Sequence, residues 1–153
     1  MSHTFEIEKT CPRTGARAGF ITTAHGVVPT PAFMPVGSQA TVKALTPDDV
    51  RDVGTKILLS NAYHLYLRPG VDVIEKMGGL HRFMGRDGPI LTDSGGYQIF
   101  SLAALRRVDD QGVVFRSHID GSEHSLTPEG AMHLQQRLGA DIVMALDECP
   151  PYT

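Results

Sequence analysis

TPEGAMHLQQRLGADIVMALDEC, residues 127–149, spells out a helix followed by a strand in its punctuation. Thr127 offers a hydroxyl to the orphan N–H groups of a helix start. Pro128 presets the first helical φ, and Gly139 ends the helix by tolerating a left-handed conformation. Residues 141–146 then form an apolar run of strand length. The signal repeats upstream: Thr46 and Pro47 open a helix that stops at Gly54, and residues 56–60 follow as a strand. Strands apolar throughout (57–59 and 142–146) and joined by helices imply a parallel sheet buried on both faces. A barrel and an open doubly wound sheet both satisfy that pattern. No GxGxxG follows a strand, which removes the usual dinucleotide-binding case.

Working outward, residues 32–36 read as a strand, 71–77 as a helix, 89–92 as a strand and 97–107 as a helix. Residues 113–127 read as a hairpin turning at Asp120 and Gly121. Near the N-terminus, residues 5–8 and 18–23 are strand-like runs around a turn-prone 11–15. Residues 1–30 are therefore expected to form a hairpin or small antiparallel sheet, and residues 31–153 about four βα units, with a strand near the chain's end. A complete (β/α)8 barrel needs eight strands and about 250 residues. The expected fold is α/β, the first half of a TIM barrel preceded by the small sheet.

Composition narrows the function classes. The chain has 153 residues, of which 41% are hydrophobic and 20% charged, as in a cored globular domain. Its apolar runs are interrupted by Pro, Gly and charge, and MSHTFEIEK lacks the apolar core of a signal peptide, so a cytoplasmic location is expected. The two cysteines, Cys11 and Cys149, supply neither a disulfide framework nor a four-ligand zinc site. A net charge of -3 gives no basic footprint for nucleic acid.

Polar residues gather where the strands end: Gly37 and Ser38, Asn61, Asp93 and Ser94, then Asp147, Glu148 and Cys149. In parallel α/β architectures the C-terminal strand ends share one face, so these side chains converge. Asp93 ends an apolar strand, Ser94 can cap the following helix, and Gly95 and Gly96 admit a flat ligand close to the backbone, with Tyr97 beside it. Taken alone, Asp93 reads more readily as a turn or cap residue. Its pairing with Asp147 changes the reading, because one carboxylate can accept the adjacent N1–H and amine of a guanine while another moves a proton.

LLSNAYHLYLRPG (58–70), GGLHRFMG (78–85), ILTDSGGYQIFSL (90–102), SHIDGSEHSLTPE (117–129) and DIVMALDECPPY (141–152) resemble, in order and spacing, the tRNA-guanine transglycosylase (queuine tRNA-ribosyltransferase) family, and DEC at 147–149 resembles its bacterial branch. The resemblance implies exchange of a wobble guanine in tRNA for a 7-deazaguanine precursor of queuosine, through a covalent enzyme–RNA intermediate. It implies Asp93 as proton acceptor, Tyr97 as the ring that stacks on the base, and Asp147 as reader of the purine edge, with Ser94, Gly95 and Gly96 completing the pocket. Asn61 is expected to orient Asp93. The family's nucleophilic Asp lies on a later strand, and its zinc site of three Cys and one His lies later still; neither is in this sequence. A homodimer is implied for the full-length protein, and the alternative reading is a non-catalytic accessory subunit that binds RNA or a partner without turnover.

HIDGSEH contains ligand types in His118, Asp120 and His124, but a two-residue turn at Asp120 and Gly121 sets Ser117 opposite His124 and puts the two His on opposite faces. A solvated hairpin is expected. His64 reads as a structural, hydrogen-bonded residue, Cys149 as a pocket-lining thiol, and Lys43 as a solvated loop residue.

Overall fold

A computed structural model describes residues 4–102 and 106–149. Strands β1 (Thr4–Thr10), β2 (Arg17–Thr23) and β3 (Gly26–Thr30) form an antiparallel sheet in that order. The expected hairpin therefore has a third strand, joined to β2 by a tight turn in which Thr23 faces Gly26 and leaves Ala24 and His25 at the tip. Val28, 1% exposed, points this sheet's apolar face inward.

Helix α1 (Pro47–Asp52) begins as its sequence dictates: the Thr46 hydroxyl accepts from the Asp49 amide at 3.1 Å, and the Asp49 carboxylate accepts from the Thr46 amide at 2.8 Å. After it come β4 (Leu58–Asn61), α2 (Ala62–Leu67), α3 (Val71–Lys76), α4 (Leu80–Met84), β5 (Ile90–Asp93) and α5 (Gly96–Leu102). The chain continues through β6 (Arg106–Asp109), β7 (Gly112–Arg116), β8 (Glu123–Leu126), α6 (Pro128–Leu138) and β9 (Ile142–Val143). β6, β7 and β8 make a second antiparallel sheet, and β4, β5 and β9 a parallel one.

Several boundaries differ from expectation for identifiable reasons. Residues 32–36 do not form a full strand. Pro31 and Pro35 have no amide to donate, and the segment joins β4 only through the Val36–Leu59 bridge, with Leu59 N–H donating to the Pro35 carbonyl at 3.0 Å and Gly37 N–H to the Leu59 carbonyl at 2.7 Å. Of the helix expected over 97–107, α5 is described to Leu102, residues 103–105 lie outside the described residues, and Arg106 and Arg107 belong to β6. The 113–127 hairpin keeps its strands but not its register. Arg116 faces Glu123 and Phe115 faces His124, so the loop runs from Ser117 to Ser122 instead of being a two-residue turn. Asp120 widens it by accepting the Ser122 amide and hydroxyl at 3.1 and 2.7 Å. Those bonds hold the Asp120 carboxyl down at about 2.

The parallel sheet is covered unequally. Leu58, Ile90 and Thr92 are buried against the helices, while Leu59, Leu91 and Ile142, one register row on the opposite face, are half-buried. Phe33, Val36 and Met144 are 85, 54 and 45% exposed, so the expectation of burial on both faces is not met. The main apolar core lies on the helical side, built from Leu58, Leu65, Ile74, Leu80, Ile90, Leu134 and Leu138 with their neighbours. No helix of the described residues is long and apolar enough to cross a membrane.

One fully buried polar side chain ties α6 to the sheet. Gln135, 0% exposed, accepts from the Thr92 hydroxyl at 2.9 Å and the Met144 amide at 3.2 Å, and donates to the carbonyls of Met144 and Ala131 at 2.8 and 3.1 Å. Truncating it leaves the buried Thr92 hydroxyl without its acceptor and removes the donor to the Met144 carbonyl. Gln135→Ala is expected to lower unfolding free energy by about 2–4 kcal/mol in urea titrations. The exposed neighbour Gln136→Ala should stay within about 0.5 kcal/mol. Equal effects would show that Gln135 is not a structural pin.

Candidate functional site

The site is assembled where β4 and β5 end side by side, with Asn61 paired in register with Asp93. Asn61 is 3% exposed and uses its whole amide. Its oxygen accepts the His64 amide at 3.3 Å as the cap of α2, and its nitrogen donates to Asp93 Oδ2 at 2.9 Å and Gln98 Oε1 at 3.0 Å. The three contacts fix which end of the amide is which. The expected Asn61–Asp93 partnership is thus present in the geometry. Gln98 was not singled out from sequence; its place one residue past Tyr97 on α5 was the only signal.

Asp147 lies just beyond β9, the other neighbour of β5, and accepts from the Ser94 hydroxyl at 2.6 Å. Ser94 is 1% exposed, so this hydrogen bond sits at the buried root of the site. Burial raises the Asp93 carboxyl above its ordinary value of 3.8, and the charge of Asp147 raises it further. The amides of Ser94 and Gly95 and the side chain of Asn61 oppose that rise without cancelling it. A carboxylate held up by burial and a like charge sits nearer to neutrality, as proton transfer requires.

The glycines serve the protein's own packing. At Gly95, φ is +91°, and a Cβ would collide with the Cβ of Tyr63 and lie 3.0 Å from its amide nitrogen. At Gly96 a Cβ would overlap the carbonyl and carboxylate of Asp147. In the direction of a side chain, both positions are therefore closed to anything but glycine by Tyr63 and Asp147. Tyr97 is 57% exposed and its ring is available to stack.

Asp147, Glu148 and the half-buried Cys149 line a cleft of about 230 Å³ with an apolar floor of Ile99, Phe100, Val113 and Leu146. Asp93 does not line it. The two carboxylates are therefore joined through Ser94 and through their charges, not by opening on one common cavity. His64 is half-buried, and burial followed by the nearby His118 lowers it below its ordinary 6.5, in keeping with a structural role. His118 Nδ1 pairs with the Tyr63 hydroxyl at 2.7 Å, and His124 Nδ1 with that of Tyr66 at 2.9 Å. Both rings are thus hydrogen-bonded through Nδ1 to tyrosines of α2. Lys43 is exposed.

Known proteins match this chain closely. The family model described as queuine tRNA-ribosyltransferase matches residues 11–153. The chain is 64% identical over 148 residues to a queuine tRNA-ribosyltransferase of Desulforudis audaxviator, covering 97% of this chain and 40% of that protein. With the enzyme of that name from Pelotomaculum thermopropionicum it shares 62% identity over 152 residues, covering 99% of this chain and 41% of the relative. The chain thus spans about two-fifths of the length of the curated relatives it matches.

The electrostatics of the pair can be read directly. In Asp147→Asn the like charge is gone, so the Asp93 carboxyl, followed by carbon-13 NMR, should titrate lower than in the parent. In Asn61→Ala a donor to the ionised form is lost, and Asp93 should titrate higher. No movement of Asp93 in either variant would dissolve the coupled pair.

Proposed function

Because the chain belongs to the queuine tRNA-ribosyltransferase family, we propose that the full-length protein exchanges the wobble guanine of tRNA for a 7-deazaguanine precursor of queuosine. The observation that carries this reading is the pair of acidic side chains at neighbouring strand ends, one held by Asn61 and raised, the other held by Ser94. Guanine offers two adjacent donors, N1–H and its amine, and the Asp147 carboxylate is matched to both. Asp93 takes the proton that the incoming base loses as its nitrogen bonds to the ribose carbon. Tyr97 stacks on the purine, and Ser94 keeps Asp147 turned toward it. The backbone at Gly95 and Gly96 closes the pocket floor.

The sugar-attacking carboxylate belongs, in this proposal, to a later part of the full-length protein, and the covalent intermediate forms there. We assign the parallel sheet to the first part of a (β/α)8 barrel. Its half-covered face, with Leu59, Leu91 and Ile142 in one row, then becomes barrel interior once further strands close the sheet. Asn61 and Asp93 share that face by strand parity, which points them at the barrel mouth. A family zinc site of three Cys and one His does not fit this chain, whose cysteines are Cys11 and Cys149. No step above passes through zinc. Cytoplasmic tRNA as substrate and a homodimeric full-length enzyme complete the proposal.

In the full-length enzyme, Asp147→Asn keeps the side chain's size but turns one acceptor into a donor facing a donor. A mismatch of about 1–3 kcal/mol corresponds to guanine affinity weaker by roughly ten- to a hundred-fold. Melting should hardly change, because Asp147 is exposed. Labelled guanine incorporated into tRNA gives the KM. Unaltered guanine affinity would remove Asp147 as reader of the base.

A further inference from the structure

At the opposite end of the same strands, three residues far apart in sequence meet. Asp141, whose side chain is fully buried, accepts His25 Nδ1 at 2.7 Å and the His25 amide at 3.2 Å on one oxygen. The other oxygen accepts His81 Nε2 and the Ile90 amide, both at 2.9 Å. The imidazoles stack with centroids 3.6 Å apart and planes 17° from parallel. Ligand atoms within 4.8 Å of one another invite a metal. A metal bound by imidazole lies in the ring plane about 2.0–2.1 Å from nitrogen. Two rings stacked face to face and nearly parallel have no such point in common, so the arrangement is a hydrogen-bonded clamp.

What the clamp holds is strand register. The Asp141 amide donates to the Ile90 carbonyl at 2.9 Å while its carboxylate accepts the Ile90 amide, so Asp141 grips both backbone groups of the first residue of β5. The ladder then runs through Leu91–Ile142 and Thr92–Val143 and ends on Met144 N–H to the Thr92 carbonyl at 3.1 Å. Asp93 follows Thr92 directly, and Asp147 follows Met144 by three residues. We propose that Asp141, clamped by His25 and His81, is a positioning residue that sets where Asp147 stands relative to Asp93, and that the clamp releases in acid when both imidazoles take a proton. The part concerning Asp147 rests on the function proposed above.

One protonated ring beside Asp141 makes an ion pair. Two leave stacked cations facing one carboxylate, with like charges directly apposed. The other charged groups around the clamp are Arg86 after α4, Arg51 of α1 beyond it, and Lys56 and Asp87 in the cleft beside His25. Arg51 is paired with Asp48, and Arg86 opposes a positive charge on His81, so neither relieves a second imidazolium. Burial first, then His25, holds His81 below its ordinary 6.5. Burial pushes Asp141 up, but the Ile90 amide and the two histidines outweigh it and bring it below 3.8. Both groups fold below their unfolded values. The contribution of His81 is complete at neutral pH and is lost as pH falls below the ordinary imidazole value, whereas that of Asp141 is lost only below the ordinary carboxyl value.

The test uses the full-length protein as parent, His25→Gln and Asp141→Asn, melted from about pH 8 to about pH 5, across the ordinary imidazole range. His25 lies partly in solvent, with 39% of its side chain exposed, and Gln retains an amide donor, so this variant folds even where Asp141→Asn fails to. His25→Gln is expected to flatten the acid limb of the melting profile, since only one ring can then charge. An acid limb parallel to the parent's overturns the clamp. The guanine KM of the parent should rise several-fold more between about pH 7 and about pH 5.5 than that of His25→Gln, with kcat little affected. Equal rises overturn the positioning role. If no variant exchanges guanine at any pH, the proposed function fails, while the melting profiles still decide on the clamp.

Discussion

A parallel ladder between β5 and β9 tolerates one register only, because side chains alternate faces and a slip of one residue turns every inward group outward. β9 has two residues in strand geometry, too few to hold that register by backbone pairing alone. Polar pins at each end supply the rest. Asp141 grips Ile90 where the strands start, and Gln135 grips Thr92 and Met144 where they finish. Both pins are buried and fully partnered, so each favours one alignment and penalises its neighbours by orphaned donors and acceptors. The helices pack on a sheet whose alignment these contacts decide.

Placing two acidic side chains at adjacent strand ends brings repulsion with it. The fold answers with separate donors, Asn61 and backbone amides for Asp93 and the Ser94 hydroxyl for Asp147, rather than with a cation between them. A cation would have pulled both groups down together. Burial and the like charge of Asp147 leave Asp93 raised despite those donors. Asn61 matters because it couples this electrostatics to structure. Capping α2 and supporting Asp93 are two uses of one amide, so the helix start and the site cannot shift independently.

Local chemistry explains how much was legible in the sequence. Thr46 with Pro47 and Thr127 with Pro128 announced α1 and α6, and Gly54 and Gly139 announced their ends, because capping is satisfied within a few residues. The strands ending at Asn61 and Asp93 were legible from their apolar runs, while the Asn61–Asp93 pair came from the family resemblance and is present as a hydrogen bond. What escaped was long-range or context-dependent. Gln135 sits amid an amphipathic helix like any polar residue, and only the fold brings Thr92, 43 positions away, to it. His25 and Asp141 are separated by 116 positions, beyond any spacing rule. The β7–β8 register was misread because the Asp120 side chain competes for the Ser122 amide, a local bond that makes a wider loop than the Asp–Gly pair suggests. At Gly95 and Gly96 a further constraint escaped the sequence, since a Cβ there would meet Tyr63 and Asp147.

The two polar assemblies occupy opposite ends of the same short strands, and that separation has a physical logic. Four residues of β5 span one layer of sheet, from Ile90 in the clamp to Asp93 in the acidic pair. Over so short a rigid element, displacement at one end passes to the other almost undiminished, because tightly packed neighbours leave it no slack. The structural carboxylate of Asp141 is buried against two imidazoles and two backbone amides, which satisfy both of its oxygens. The exposed end can then carry two acids, Asp93 and Asp147, whose mutual strain is sustained by the stability gathered at the other. A site of like charges needs a scaffold that does not relax to separate them, and the pins on Ile90, Thr92 and Met144 are that scaffold.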